Sequence, residues 1–125
     1  MRPPATTLTP HELEIMKRVW ERGQATVRDV YEDLRARRRI AYTSVLTMMN
    51  VLERKGHLRK RTEGRSFVYQ PTRARGRVVG AMVRDFLDRV FNGATEPLLV
   101  QLLEDRRLTH RDLEALARRI REGRR

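Results

Sequence analysis

The chain has 125 residues, of which 39% are hydrophobic and 35% are charged, and it carries a formal net charge of +12. This length supports one modest core or two small ones, and the apolar runs are far shorter than the roughly 20 residues of a membrane span. The absence of cysteine excludes disulfides and thiolate metal sites and, with no apolar signal segment in MRPPATTLTP, favours a cytoplasmic protein without membrane association.

The first predicted elements are two short helices with clear start signals. Thr9 and Glu12 have the spacing of a capping box, and apolar residues follow at helical spacing, which predicts a helix over residues 10–22. Thr26 gives a second start signal, and the apolar stripe that follows it ends near residues 37–39. Both helices should bury one apolar face in a common core.

A third helix and an alternating segment complete the first half. The helix is predicted from about Tyr42 to Lys55. The segment LRKRTEGRSFVYQP then turns at Glu63-Gly64 and ends at Pro71, which is typical of a two-stranded hairpin. Three short helices followed by a hairpin form the winged-helix version of the helix-turn-helix. We therefore predict a mainly α fold with a small β-hairpin wing, in which residues 1–72 form the winged-helix domain.

The second half predicts three amphipathic helices after a polar hinge at residues 71–76. Their apolar area exceeds what roughly fifty residues can bury among themselves. We expect a three-helix dimerisation domain over residues 73–125, in which a second copy of the chain covers the apolar residues. A small extra core packed on the first domain is the alternative. The predicted dimer interface consists of Val79, Val83, Phe86, Leu87, Val90, Leu98, Leu99, Leu102, Leu113, Leu116 and Ile120.

The third helix has two unlike faces. Val45, Met49 and Leu52 form its apolar side when residues are spaced at 100° around the axis. The other side carries small hydroxyls and a basic end, which can meet phosphate oxygens and base edges. An inert solvated face is the alternative. Threonine is a poor helix former, however, and on a solvated face it would make no packing contact that offsets its lower helix propensity. The candidate recognition residues are Thr43, Ser44, Thr47, Asn50 and Arg54.

Basic residues are spread over both halves of the chain. Residues 1–70 hold 15 Lys and Arg against 8 Asp and Glu, and residues 71–125 hold 13 against 8. Such an excess favours nucleic acid as the partner. Lys60, Arg61 and Arg65 surround the turn of the wing, where they would lie along the sugar–phosphate backbone. Ordinary protection of the hairpin edges is the alternative for these three residues.

Four segments of the chain follow one known pattern: LTPHELEIMKRVWERGQATVRDVYEDL, AYTSVLTMMNVLERKGHL, SFVYQP and VRDFLDRVFNGATEPLLVQLLEDRRLTHRDLEALARRI. In these segments the chain resembles the penicillinase-repressor family of winged-helix regulators (BlaI/MecI/CopY type). The resemblance implies a transcriptional repressor that binds double-stranded operator DNA as a homodimer, at an inverted repeat often of TACA/TGTA type. It also implies that Thr43, Ser44 and Thr47 lie at the groove, with Tyr42 and the wing residues at phosphates.

Two features depart from the family pattern. The lactamase-regulating branch is induced by a membrane sensor that leads to cleavage at an Asn-Phe bond, but Asn50 and Asn92 precede Val51 and Gly93 here. The copper branch senses metal through C-terminal cysteines, which this chain lacks. The sequence therefore predicts no cofactor and no metal, and it identifies no inducing protease or sensor. Arg118 to Arg125 is predicted either as an ordered helix end or as a loose basic tail.

Other classes of function compete with a repressor. An enzyme is not expected, because His11, His57 and His110 lie in unrelated contexts and form neither a catalytic set nor a zinc site. A basic RNA-binding or architectural protein without sequence specificity is the alternative, and it would need neither a dimer nor a palindromic site. A repressor should prefer its operator over random duplex by roughly 10³-fold or more. A protein-interaction adaptor fits poorly with the net charge of +12.

Overall fold

The computed structural model describes residues 8–123, which form six helices and one two-stranded sheet. This content confirms the predicted mainly α fold with a small β-hairpin wing. Residues 1–7 of the opening MRPPATTLTP and the last two arginines of the basic tail lie outside the described residues. The elements are α1 (Pro10–Arg22), α2 (Val27–Arg35), α3 (Tyr42–Arg54), β1 (Leu58–Glu63), β2 (Ser66–Pro71), α4 (Arg75–Phe91), α5 (Glu96–Glu104) and α6 (His110–Gly123).

Reciprocal caps fix the starts of α1 and α2. The Thr9 hydroxyl accepts a hydrogen bond of 3.1 Å from the Glu12 backbone N–H, and the Glu12 carboxylate accepts one of 3.0 Å from the Thr9 N–H. Thr26 and Asp29 repeat this arrangement at α2. Gly23 ends α1 at a φ of 84°, a left-handed conformation that favours glycine. Helix α1 has the predicted bounds, whereas α2 ends two residues before the predicted arginine run.

The described residues fall into two compact units, divided in the chain between Met82 and Val83 within α4. In the first unit, the three N-terminal helices and the wing enclose one apolar core. Val78 in the second turn of α4 belongs to this core, and Met82 packs against it. The other buried members of the core are Leu8, Ile15, Met16, Val19, Ala25, Val27, Val30, Leu34, Val45, Met49, Leu52, Leu58 and Tyr69.

The predicted hinge over residues 71–76 is shorter in the structure. Helix α4 begins at Arg75, because arginine is a good helix former and the Ala74 carbonyl accepts hydrogen bonds from the first turn. The remaining hinge is held by α1, since the Trp20 indole Nε1 donates a bond of 3.0 Å to the Arg73 carbonyl. The predicted domain boundary between residues 72 and 73 stays a prediction.

The second unit contains the rest of α4 together with α5 and α6. Thr109 and Asp112 form a capping box at the start of α6, and this helix continues to Gly123. The described part of the predicted basic tail is therefore helical. Phe86 and Phe91 meet edge to face, with ring centroids 5.9 Å apart. Among residues 8–123, no helix combines the length and the apolar character that crossing a membrane requires.

Candidate nucleic-acid interface

The core fixes which face of α3 points outward. Val45, Met49 and Leu52 are each completely buried, so the opposite side of the helix is left at the surface. Its first two turns carry the hydroxyls predicted for recognition, and its last residue carries a guanidinium. The exposed side chains of α3 are Tyr42, Thr43, Ser44, Leu46, Thr47 and Arg54.

The start of α3 borders an open cleft of about 620 Å³. Thr43, Ser44 and Thr47 line this cleft together with two arginines from the preceding turn, Arg38 and Arg39. No side chain caps the first N–H groups of α3, which therefore keep the positive end of the helix dipole available. Hydroxyls, guanidinium groups and a helix start on one surface suit an anionic partner such as phosphate.

Arg38 also fixes the turn that leads into α3. Its Nη2 donates a hydrogen bond of 2.7 Å to Glu14 Oε1 on α1, and its Nη2 lies 3.2 Å from His11 Nδ1. The hydrogen bond from Arg38 holds the pKa of the Glu14 carboxyl below its usual range. This ion pair ties the turn that precedes α3 to helix α1.

The wing is joined to α3 by Asn50. Its Oδ1 accepts a hydrogen bond of 2.8 Å from the Tyr69 hydroxyl and one of 3.4 Å from Lys60 Nζ. Asn50 is half-buried, and Tyr69 is only 1% exposed. Burial, together with the nearby Glu53 carboxylate, raises the pKa of the Tyr69 phenol, which therefore stays protonated and able to donate. Asn50, predicted as a recognition residue, is thus engaged in holding β1 and β2 against α3.

The loop between α1 and α2 holds the other edge of the wing. Ala25 and Tyr69 exchange two backbone hydrogen bonds, of 3.0 and 2.8 Å, as an antiparallel bridge. Gln24 Oε1 accepts further bonds from Arg61 and from Gln70. Because β2 is bonded on both edges at Tyr69, the base of the hairpin has a defined position against the helices.

The three basic residues predicted on the wing differ in their surroundings. Lys60 is half-buried, and its Nζ lies 4.7 Å from the centroid of the Phe67 ring. Arg61 donates to Glu63 over 2.9 Å, in addition to its bond to Gln24. Arg65, beside Gly64 in the turn, is exposed and forms no hydrogen bond or ion pair with residues 8–123. Arg65 is therefore best placed of the three to meet a phosphate.

Two cations lie at the C-terminal end of α3, and they have different surroundings. Arg54 is exposed, as predicted for a residue at a phosphate. The next residue, Lys55, donates to Glu12 Oε2 over 2.7 Å. Burial of Glu12 opposes its ionisation, but the bonds from Lys55 and Thr9 outweigh it and lower the pKa of Glu12. Lys55 thus neutralises a buried carboxylate at the start of α1.

The structure brings the predicted recognition residues into three groups. The threonine and serine hydroxyls share the cleft at the start of α3, Asn50 contacts Lys60, and Tyr42 lines a second cleft with Arg65. The residues predicted for DNA contact did not include several that line these clefts. Two of them belong to the arginine run at residues 37–39, which was noted at the end of α2, and the others carry no distinctive sequence signal. The missed residues are Arg28, Arg38, Arg39, Leu46 and Phe67.

The residues predicted to form the dimer interface are incompletely buried in the single chain. Phe86 is 40% exposed, Val90 52% and Ile120 57%, and the other eight are exposed or half-buried. Val100, which was not predicted, is also exposed. The second unit therefore presents an uncovered apolar surface on all three of its helices.

Comparison with known proteins identifies the family. A sequence model described as penicillinase repressor matches residues 8–122. The chain belongs to the penicillinase repressor family. Among relatives of this repressor, the transcriptional regulator BlaI of Mycobacterium tuberculosis (strain ATCC 25618 / H37Rv) is 32% identical over 119 residues. That match covers 94% of this chain and 85% of the relative. The family is one of repressors and not of enzymes.

Two solved structures of the repressor BlaI match more than half of the chain. The solution structure of the DNA binding domain of the repressor BlaI has a TM-score of 0.54 at 28% identity, covering 59% of this chain and 90% of that one. The monomeric form of Bacillus licheniformis BlaI, solved in complex with the blaP half-operator, has a TM-score of 0.50 at 30% identity. That match covers 56% of this chain and 85% of the other.

Proposed function

We propose that this repressor binds operator DNA by inserting the exposed face of α3 into the major groove. The observation that carries the proposal is the surface at the start of α3, where Thr43, Ser44 and Thr47 lie together beside Arg38 and Arg39. Hydroxyls can donate to and accept from base edges, and the exposed Arg39 supplies charge for neighbouring phosphates while Arg38 holds the turn against Glu14. The complex of Bacillus licheniformis BlaI with a half-operator supports the same use of a similar fold.

The wing contributes contacts to the sugar–phosphate backbone. Arg65 is exposed at its turn, and the bonds of Tyr69 to Asn50 and Ala25 hold the hairpin beside α3. Backbone contacts set affinity and register. Bases are read by Thr43, Ser44 and Thr47, which we call the hydroxyl face of α3. Tyr42 and Arg54, at the two ends of the exposed face, add phosphate contacts on either side of the groove.

The repressor acts as a homodimer through the apolar surface of α4, α5 and α6. The exposed Phe86, Leu99 and Ile120 would be costly to leave in water, and a second copy of the same surface would cover them. Two-fold symmetry then presents two α3 helices to successive major grooves, about 34 Å apart. The dimer would bind an inverted repeat in the cytoplasm and exclude RNA polymerase from an overlapping promoter.

The experiment that tests this function is selection of random duplex DNA on the full chain at about 150 mM salt, followed by sequencing of the bound pool. We expect an inverted repeat with fixed half-site spacing, and a dimer mass by light scattering. A parallel selection with the Thr47→Asp variant should recover no such repeat. If the wild-type pool contained no motif, the alternative of a basic protein that binds nucleic acid without sequence specificity would replace the repressor mechanism.

A further inference from the structure

A second cleft, of about 330 Å³, lies between α3 and the wing, and we call it the α3–wing cleft. Among residues 8–82, three large apolar side chains are exposed: Tyr42 at 40%, Leu46 at 37% and Phe67 at 50%. All three line this cleft. Single exposed apolar residues are ordinary on a protein surface, but three that converge on one cleft form a patch that needs a partner.

The walls of the α3–wing cleft are cationic. Arg28 at the start of α2 and Arg65 at the wing turn both line it. The Arg28 guanidinium lies 5.9 Å from the centroid of the Tyr42 ring, which also meets Tyr31 edge to face at 5.5 Å. Lys60 lies over Phe67 on the side of the wing. An apolar floor between positive walls suits a polyanion that also carries apolar groups, as a DNA strand does.

Leu46 is the aliphatic residue of this cleft that comes from the recognition helix. It lies about 60° around the helix from Thr43, on the flank that faces the wing. Its side chain has no hydrogen-bonding group, so it can distinguish bases only through an apolar feature. In the major groove that feature is the 5-methyl group of thymine.

We propose that the α3–wing cleft receives one strand of the operator, with Leu46 in contact with a thymine methyl group. Arg28 and Arg65 bind phosphates of the same strand on the two walls of the cleft, and Phe67 packs against its sugars. The inference rests on the proposed DNA-binding function and adds a residue that determines specificity. It predicts a thymine in each half-site that is recognised by its methyl group rather than by hydrogen bonds.

The test replaces each thymine of the selected operator, one at a time, by deoxyuridine, which removes only the methyl group. We expect one position per half-site at which the full-length wild-type protein binds about fourfold more weakly, the effect of one buried methyl group. Leu46→Ala should bind thymine and deoxyuridine equally at that position. Leu46 lies at the edge of the apolar face of α3, about 60° from the buried Met49, and is 37% exposed, so circular dichroism and a thermal melt check that this variant keeps its fold.

Thr47→Ser and Thr43→Ser are the matched controls, because each removes a threonine methyl group that could contact thymine and keeps the hydroxyl. Whatever their overall affinity, both variants should retain the penalty for deoxyuridine. A penalty that disappeared in Thr47→Ser and persisted in Leu46→Ala would assign the methyl contact to Thr47 and overturn the inference. A selected operator that was indifferent to deoxyuridine would overturn it as well while leaving the proposed function intact. If no operator were selected, both proposals would fall.

A second readout tests the cationic walls. Uncharged methylphosphonate groups are placed at the phosphates on either side of the identified thymine. They should weaken binding by the wild-type protein and have a smaller effect on Arg28→Ala or Arg65→Ala, since each variant has already lost one of the contacts. Equal losses for all three proteins would show that the strand does not lie in the α3–wing cleft.

Discussion

The hydroxyl of Tyr69 and the side-chain oxygen of Asn50, 2.8 Å apart, join the wing to the recognition helix. The two residues are 19 positions apart in the chain, and one lies on β2 and the other on α3. Because Asn50 projects from the same helix as Thr43 and Thr47, the bond sets the distance between the two elements that we propose to bind DNA. The wing and the hydroxyl face of α3 should therefore engage DNA as one surface.

Removing this bond should weaken DNA binding without changing the preferred sequence. Tyr69→Phe is expected to lower the free energy of unfolding by about 1 kcal/mol, the usual contribution of one hydrogen bond. Operator affinity should fall several-fold as the wing loses its tie to Asn50. Denaturant titration and fluorescence anisotropy measure the two effects. Tyr31→Phe is the matched control, and an equal loss of affinity in that variant would argue against a specific role for the bond.

A charge on the hydroxyl face should abolish recognition. Thr47→Asp places a carboxylate in the cleft at the start of α3, where it would meet base edges and phosphates. We expect at least about tenfold weaker operator binding, because one base contact is lost and a repulsion is added. The same change at Thr95, which is exposed just before α5, provides the control for charge alone. Unchanged operator affinity in Thr47→Asp would refute the assigned face of α3.

The apolar surface of the second unit should control assembly. Phe86→Asp is expected to convert the dimer to a monomer and to lower operator affinity by at least about 100-fold, since two linked half-sites bind far more tightly than one. Analytical ultracentrifugation and operator titration follow the two properties. Ala115→Asp, on the polar side of α6, should leave both unchanged. A Phe86→Asp protein that remained dimeric would place the interface elsewhere.

The salt dependence of operator affinity should distinguish the roles of Arg61 and Arg65 on the wing. Each phosphate contact that is lost reduces the slope of log affinity against log salt by about 0.9. Arg65→Ala should show this change in full, because Arg65 has no other bonding role among residues 8–123. Arg61→Ala should change the slope less, since Arg61 already bonds to Glu63 and Gln24. A larger change in slope for Arg61→Ala than for Arg65→Ala would indicate that Arg61 exchanges its bonds to Glu63 and Gln24 for a phosphate when DNA binds.

Acid should destabilise the first unit through its bonded carboxylates. The pKa values of Glu12, Glu14 and Asp33 are all lowered in the folded chain, where Lys55, Arg38 and Arg22 donate to them. The stability that they contribute is present above the unfolded values near pH 4 and is lost as pH falls through the folded ones. The melting temperature should therefore hold near neutral pH and drop below about pH 4.5.

Glu12→Gln tests this acid effect at one residue. The variant should be about 2 kcal/mol less stable at pH 7, because charge-assisted bonds are lost, and its stability should fall less steeply on acidification. Thermal melts from pH 7 to pH 3 measure both. Glu104→Gln, at an exposed position, is the control. An acid profile of Glu12→Gln that matched the wild type would show that Glu12 does not contribute to the pH dependence.

The sequence predicted best those features that depend on neighbouring residues. Thr9 with Glu12 and Thr26 with Asp29 give the starts of α1 and α2, because the capping bonds form within one turn. The start of α4 was missed since Arg75 has no start signal, and the first apolar residue, Val78, lies in its second turn. Capping bonds between neighbouring residues therefore set the starts of α1 and α2. The first turns of α4 are instead positioned by Val78, which packs in the core of the first unit.

Contacts between distant segments could not be predicted. Trp20 and Arg73 are 53 residues apart, and nothing in either segment specifies the other. Phe67 and Tyr69 share one face of a strand, yet Tyr69 is buried in the core of the first unit while Phe67 is half exposed. Leu46 lies between the apolar side and the hydroxyl side of α3, so its exposure depends on the position of the wing, which the sequence does not specify.

The first two turns of α4 have a practical consequence for fragments of this repressor. Val78 is 5% exposed and Met82 packs against the same core, so a fragment that ended at residue 72 would leave this core open to water. A fragment that extends through Met82 retains both side chains and omits most of the predicted dimer surface. Such a fragment would be suited to NMR titration with a half-site duplex, in which amide shifts from single α3 and wing residues could be followed without the symmetry of the dimer.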